Sequence, residues 1–148
     1  MKIRDMLKIK GRSVITIGPN ETVAAAIQKL VDYDRGSIPV CNEKGELVGI
    51  ITERDIIRKC FARIGALTSI KIEDVMTERV AIGAPEDDLD YATSVMKQKR
   101  IRHLPIIDQQ KVVGMISMRD LLEVQLSEAN AEIRYARLLP RPPRRPVV

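Results

Sequence analysis

The chain has 148 residues, of which 45% are hydrophobic and 30% charged, with no tryptophan, three tyrosines and one phenylalanine. That is the profile of a globular protein long enough to bury a core, and no stretch approaches the ~18 apolar residues of a membrane helix. The net charge of +5 sits at one end: five of the 25 basic residues follow Glu132, the last acidic residue, so the preceding chain balances 20 against 20, and a neutral body with so few aromatics lacks the basic face and stacking platform of a nucleic-acid binder.

In chain order, the first predicted element is a short opening helix that includes Ile3-Arg4-Asp5-Met6-Leu7. The start lacks the apolar stretch of a signal peptide, so the protein is expected in the cytoplasm without a membrane anchor. A brief strand, Val14–Ile17, precedes a proline-led turn and a helix with Thr22 as N-cap and Val23, Ala26, Ile27, Leu30 and Val31 on its apolar face. A hairpin follows, Ser37–Cys41 with Leu47–Thr52, turning at Lys44-Gly45, and a second helix starts at Glu53. The order then begins again. Ile72-Glu73-Asp74-Val75-Met76 opens the second round, followed by a strand at Val80–Ile82. A helix capped by Asp88 carries Leu89, Ala92, Val95 and Met96 on its face. The second hairpin is His103–Ile107 with Val112–Ser117, turning at Gln109-Gln110, and the last helix starts at Met118. Residues 118–139 read as one long helix whose stripe of Leu122, Leu126, Ala129, Ile133 and Ala136 suits packing on the body or a dimer contact. Pro140-Arg141-Pro142-Pro143-Arg144-Arg145-Pro146 cannot continue it and suits an extended or disordered tail, solvated or docked on an acidic partner or anionic surface.

The two rounds are one motif written twice. The opening residues repeat at an offset of 69, Pro19-Asn20-Glu21-Thr22-Val23 and Ile38-Pro39-Val40 at 66, and Gly49-Ile50-Ile51-Thr52-Glu53-Arg54-Asp55 at 65. The drifts fall where turns are expected, the places where a duplicated fold tolerates indels. Repeat one is assigned to residues 1–66, repeat two to 67–126, and the helix extension and tail to 127–148. A unit of about 60 residues is marginal alone. The expected fold is α/β (α+β): two repeats, each a small three-stranded sheet with flanking helices, packed sheet to sheet as a pseudo-twofold pair. Such a pair leaves two equivalent clefts between the repeats, where small ligands ordinarily bind.

The chain resembles a tandem pair of cystathionine-β-synthase-type (CBS) domains, a Bateman module. The resemblance spans about residues 1–126. It rests on the opening helix ending Asp-Met-Leu or Asp-Val-Met, the proline-led helix, the apolar–Pro–apolar strand and Gly-x-x-[Thr/Ser]-x-x-Asp, each found twice in register. It implies regulatory binding of an adenosine-containing ligand (AMP, ADP, ATP, S-adenosylmethionine or NAD) and disc-like dimers of pairs.

The last of these motifs has its own chemistry. Thr52 ends a strand and caps a helix whose first N–H groups and positive dipole end attract phosphate. Asp55 lies one turn on, on the same side, where a carboxylate can accept two hydrogen bonds from a ribose cis-diol, worth roughly 1.5–3 kcal/mol each. Ser117 and Asp120 repeat the arrangement. The plain alternative is that Thr52 and Ser117 cap helices and the two aspartates are first-turn acids. The resemblance implies that Asp55 and Asp120 hold ribose hydroxyls and that Thr52 and Ser117 contact ribose or phosphate. It also implies that basic residues ahead of the second strand reach phosphate. Those positions are Gly36-Ser37 in repeat one but Arg102-His103 in repeat two, so the Asp120 cleft is expected to take the phosphorylated ligand. Arg54 and Arg119 are further phosphate candidates, or point to water. The adenine is expected between apolar walls made by Thr16, Ile17, Ile38, Pro39 and Ile51 and by Val80, Ile82, Leu104, Pro105 and Ile116.

No nucleophile–base pair, metal-ligand set or Gly-rich phosphate loop is apparent, so neither an enzyme nor a metal site is expected. Cys41 and Cys60, with no CxxC and His103 as the one histidine, read as buried reduced thiols. The expected function is regulatory sensing of an adenine nucleotide by a homodimer, with no required cofactor, acting in trans on an unidentified protein. The alternative is a structural adaptor with empty clefts.

Overall fold

The computed structural model describes residues 1–128 except Arg12, with side chains to Leu126. The tail and the stripe positions Ala129, Ile133 and Ala136 lie outside the described residues. Along the chain run α1 (Ile3–Lys10), α2 (Val23–Asp32), β1 (Ser37–Cys41), β2 (Leu47–Thr52), α3 (Glu53–Cys60), a 3₁₀ segment Phe61–Ala66, a 3₁₀ turn Ile72–Asp74, α4 (Leu89–Lys99), β3 (His103–Asp108), β4 (Lys111–Ser117) and α5 (Met118–Glu128). No helix among the described residues is long and apolar enough to cross a membrane.

The two hairpins form where the apolar runs and turn residues place them. β1 pairs antiparallel with β2, Ser37 opposite Thr52, and β3 with β4, His103 opposite Ser117. The predicted third strands shrink to one residue each. Ile17 makes a single parallel bridge to Val40, and in the second repeat the bridge is at Gly83, beyond Val80–Ile82, to Ile106. The cause is the proline in the neighbouring strand. Ile17 N–H donates to Pro39 O and Ile17 O accepts from Cys41 N–H, but the next bond back would need an N–H from residue 39, which proline lacks. Pro105 truncates the ladder at Gly83 in the same way.

Helix α2 buries Val23, Ala26 and Leu30 and is capped by Thr22 Oγ1, which accepts from Ala25 N–H at 3.1 Å. Val31 does not join that face: one residue, about 100° of helix, beyond Leu30, it is turned to solvent. Asp88 stands at the N-cap of α4 but makes no side-chain cap bond. Its backbone is held in a bridge to Lys2, and its exposed carboxylate points elsewhere.

There are two cores, and they do not follow chain order. One gathers Ile17, Val23, Leu30, Ile38, Val40, Ile51, Cys60, Ile70, Ile72 and Val75; the other gathers Ile3, Met6, Ala92, Met96, Leu104, Ile106, Ile116 and Leu121. The opening segment of each repeat therefore packs into the core of the other. The hydrogen bonds repeat as well. Ile3 N–H donates to Asp87 O and Arg4 N–H to Pro85 O, as Ile72 N–H does to Glu21 O and Glu73 N–H to Pro19 O. Leu89 N–H donates to Met1 O as Val23 N–H does to Ile70 O. These equivalences define the pseudo-twofold pair. At the seam the hairpins touch at both ends: Glu46 bridges Lys111 near the turns, and the His103 ring lies against Gly36 at the far end.

Candidate ligand site

The two Gly-x-x-[Thr/Ser]-x-x-Asp motifs place matching carboxylates where β2 meets α3 and where β4 meets α5. In the first, Asp55 Oδ2 accepts from Thr52 N–H at 3.2 Å and from Thr52 Oγ1 at 3.0 Å, while Asp55 N–H donates to Thr52 Oγ1 at 3.0 Å. In the second, Asp120 Oδ2 accepts from Ser117 N–H at 2.8 Å and Asp120 N–H donates to Ser117 Oγ at 3.1 Å. Both are reciprocal capping boxes. Yet neither aspartate is an ordinary solvated cap. Their side chains are only 14% and 15% exposed.

Each carboxylate is also met by a group from the other repeat. Thr77 Oγ1 lies 3.2 Å from Asp55 Oδ1, and Lys59, on α3 itself, stands 3.5 Å from that oxygen. Lys10, the last residue of α1, donates to Asp120 Oδ2 at 2.8 Å and to Met115 O at 2.7 Å. The first carboxylate thus meets a hydroxyl across the seam, and the second meets an ammonium. Burial pushes the Asp120 carboxyl up, but the Lys10 and Ser117 bonds outweigh it and hold it below the usual range. His103 is pushed below its ordinary value, first by burial and then by Lys10 and Arg102, with Asp120 opposing.

The remaining sequence-predicted residues fall in three places. Arg54, Arg102 and Arg119 are exposed, and Arg119 lies 3.4 Å from Glu123 on its own helix. Ile38, Ile51, Leu104 and Ile116 are wholly buried in the two cores, with Pro39 and Pro105 buried beside them, so their side chains face hydrophobic neighbours. Thr16 and Ile17 line a cleft of about 620 Å³ near the β1–β2 turn, closed on one side by Lys111, and Val80 and Ile82 line a smaller one of about 330 Å³. Neither cleft is lined by Asp55 or Asp120, which sit at the opposite end of the hairpins. The structure brings Lys10, Arg102, His103, Ser117 and Asp120 together, with Gly36 facing them, but not the short-strand residues.

Three participants were not evident from sequence. Thr77 and Lys10 reach the carboxylates only because the opening segments exchange cores. Ser37 Oγ is buried on β1, opposite Thr52, without a hydrogen-bond partner. The repeat alignment carried one signal, the match of Ser37 to His103. Cys41 and Cys60 are buried free thiols, and burial pushes Cys41 up. Among the described residues no three His, Cys, Asp or Glu stand close enough to hold a metal ion.

The family model for the CBS domain matches residues 4–62 and 72–127. The CBS domain-containing protein YhcV of Bacillus subtilis is 36% identical over 118 residues, 80% of this chain and 83% of that protein. An uncharacterized protein of Methanopyrus kandleri, MK0525, is 34% identical over 80% of this chain, which spans 61% of its length. Among solved structures, the CBS domain pair of protein MJ0100, in complex with 5′-methylthioadenosine and S-adenosyl-L-methionine, superposes with a TM-score of 0.76 at 26% identity, covering 86% of this chain and 98% of that one.

Proposed function

The chain belongs to the CBS-domain family, carrying the domain twice, and on that premise we propose that it is a regulatory sensor of an adenosine-containing nucleotide. The ligand, one of AMP, ADP, ATP, NAD or S-adenosylmethionine, binds at the seam between the repeats with its ribose hydroxyls on Asp55 or Asp120. Thr52 and Ser117 meet ribose or phosphate, Arg102 and His103 approach phosphate, and backbone near Ile38 and Leu104 reads the base. The observation that carries this reading is the placement of the carboxylates. Each is nearly buried at a helix start and is bonded by a group from the other repeat. A ligand that takes over those bonds changes what couples the repeats, and so favours one relative arrangement. The bound adenosine compounds of the MJ0100 pair support the ligand class.

The output is read in trans by a partner protein, and the protein acts in the cytoplasm, where nucleotides are abundant and free thiols persist. A homodimer is part of the proposal. Ile57 (69% exposed) and Phe61 (71%) on repeat one match Leu122 (51%) and Leu126 (55%) on repeat two, an apolar face presented twice.

A thermal-shift series with AMP, ATP, NAD and S-adenosylmethionine tests the sensor. A ligand at 100 times its dissociation constant adds about 2.7 kcal/mol. One observation favours a second reading, a structural adaptor: both carboxylates already have partners within the protein. No shift with any adenosine compound at millimolar concentration selects the adaptor.

A further inference from the structure

We propose that Lys10 decides which ligands the Asp120 site accepts, selecting an adenosine compound with a phosphate at its 5′ position over one without. This rests on the sensor reading and goes beyond it by naming the residue that discriminates.

The argument starts from the pairing. The Lys10 ammonium has three donors, and two are used, on Asp120 Oδ2 and Met115 O. Among the described residues nothing bonds Asp120 Oδ1. The Lys10 side chain is 21% exposed, so its charge depends on the carboxylate rather than on water. A ribose diol that engages Asp120 competes with Lys10 for Oδ2. The displaced or shared ammonium then needs another anion. Among the described residues its one ion pair is with Asp120, with His103 and Arg102 nearby, and the Glu53 carboxylate stands by Gly36 near the His103 ring instead. A 5′-phosphate fills that gap by accepting the freed N–H groups. A thioether at the same position leaves the ammonium poorly compensated.

The other site works as an internal contrast. The cross-seam partner of Asp55 is the neutral Thr77 hydroxyl, so a diol arriving there displaces no charge from the other repeat. Lys10 is also placed to report. It ends α1, which is closed by the left-handed Gly11 (φ 58) donating to Leu7 O. Leu7 lies against Gly114 on β4. A shift of Lys10 away from Asp120 therefore pulls on the helix that the first repeat lends to the other core.

The test is calorimetric titration of the full chain with AMP and with 5′-methylthioadenosine, in an Asp55→Asn background that leaves the Asp120 site as the reporter. The expected result is a preference for AMP of about tenfold or more. In Lys10→Met the preference falls to within about twofold, and Lys10→Arg keeps it. Thermal unfolding of each variant confirms the fold, and Lys10→Gln replaces Lys10→Met if the latter does not fold. Both compounds binding with an unchanged ratio in Lys10→Met overturns the role of Lys10 while leaving the sensor reading intact. Binding of neither compound to any variant or to the parent chain overturns both. Methylthioadenosine binding that appears only in Lys10→Met supports Lys10 as the discriminating group.

Discussion

Lys10 and Asp120 are 110 residues apart in sequence and 2.8 Å apart in the fold. The pair joins the end of α1, which opens the first repeat, to the start of α5, which closes the second. Its counterpart, Thr77 with Asp55, joins the second repeat's opening segment to the first repeat's last helix. The carboxylates proposed to hold ligand are therefore also the ties between the repeats.

That double duty makes Asp120→Ala costly in two measurements. It removes an acceptor from the capping box and leaves a mostly buried ammonium unpaired, a loss of about 2 kcal/mol by denaturant unfolding. Adding Lys10→Met to Asp120→Ala should return part of that stability. The same Asp120→Ala should weaken nucleotide binding by roughly tenfold or more, since a lost charged acceptor costs at least ~1.4 kcal/mol, and Asp55→Ala should weaken it less. Equal losses at the two sites would contradict the asymmetry between a cationic and a neutral partner.

Acidification should loosen the fold in two steps. Burial, aided by Lys10 and Arg102, holds His103 below its ordinary value, so the unfolded chain takes up that proton first as pH falls. The stability contributed by neutral His103 is full above about pH 6.5 and declines as pH drops through that value towards the folded one. Asp120 is also depressed; its contribution is full above about pH 4 and is lost below, as pH falls through its folded value. His103→Gln should flatten the upper step and leave the lower one. Melting temperatures from about pH 2 to about pH 8 read both, and an undiminished slope between about pH 5 and 7 in His103→Gln would falsify the assignment.

The seam places steric demands on two glycines. A Cβ on Gly49 would stand 2.6 Å from Met76 Sδ and 2.9 Å from Thr77 O, the latter a backbone atom that cannot swing away. The atoms nearest a Cβ on Gly114 are Cδ2, Cδ1 and Cγ of Leu7, side-chain atoms that a new rotamer can move. Both alanine variants should lose stability, Gly49→Ala by about 2 kcal/mol and Gly114→Ala by less. Denaturant melts of the two decide the order, and a larger loss at Gly114 would mean that α1 is held more tightly than its contacts indicate.

The pattern of what sequence predicts is physical. The hairpins and α2 are legible because they obey local rules: short apolar runs on either side of turn residues, a Thr22 cap, a 3.6-residue stripe. The third strands are shorter than their residues predict, because a β-branched run such as Val14–Ile17 suits a strand wherever a partner exists, and Pro39 and Pro105 remove the partner's donors. The capping geometry of Thr52 and Asp55 was foreseeable from a three-residue spacing. The exchange of α1 and the Ile72–Asp74 turn between cores was not, because nothing local distinguishes packing on one's own repeat from packing on a twin with the same apolar pattern. Lys10 and Thr77 were invisible for that reason.

The exposed face that recurs on both repeats should be closed by a second copy of the chain. Ile57 and Phe61 sit where Leu122 and Leu126 do in the duplicated motif, so a pair of chains related by a twofold axis can bury all four positions on each side at once. Because these side chains face solvent within one chain, replacing them should leave the fold nearly as stable, within about 0.5 kcal/mol. Assembly should respond instead. Phe61→Glu and Leu126→Glu, singly, should shift the sedimentation coefficient from dimer to monomer at tens of micromolar, with melts of the isolated chain little changed. A wild-type chain that sediments as a monomer across that range would leave the face to some other partner and would separate ligand sensing from self-association.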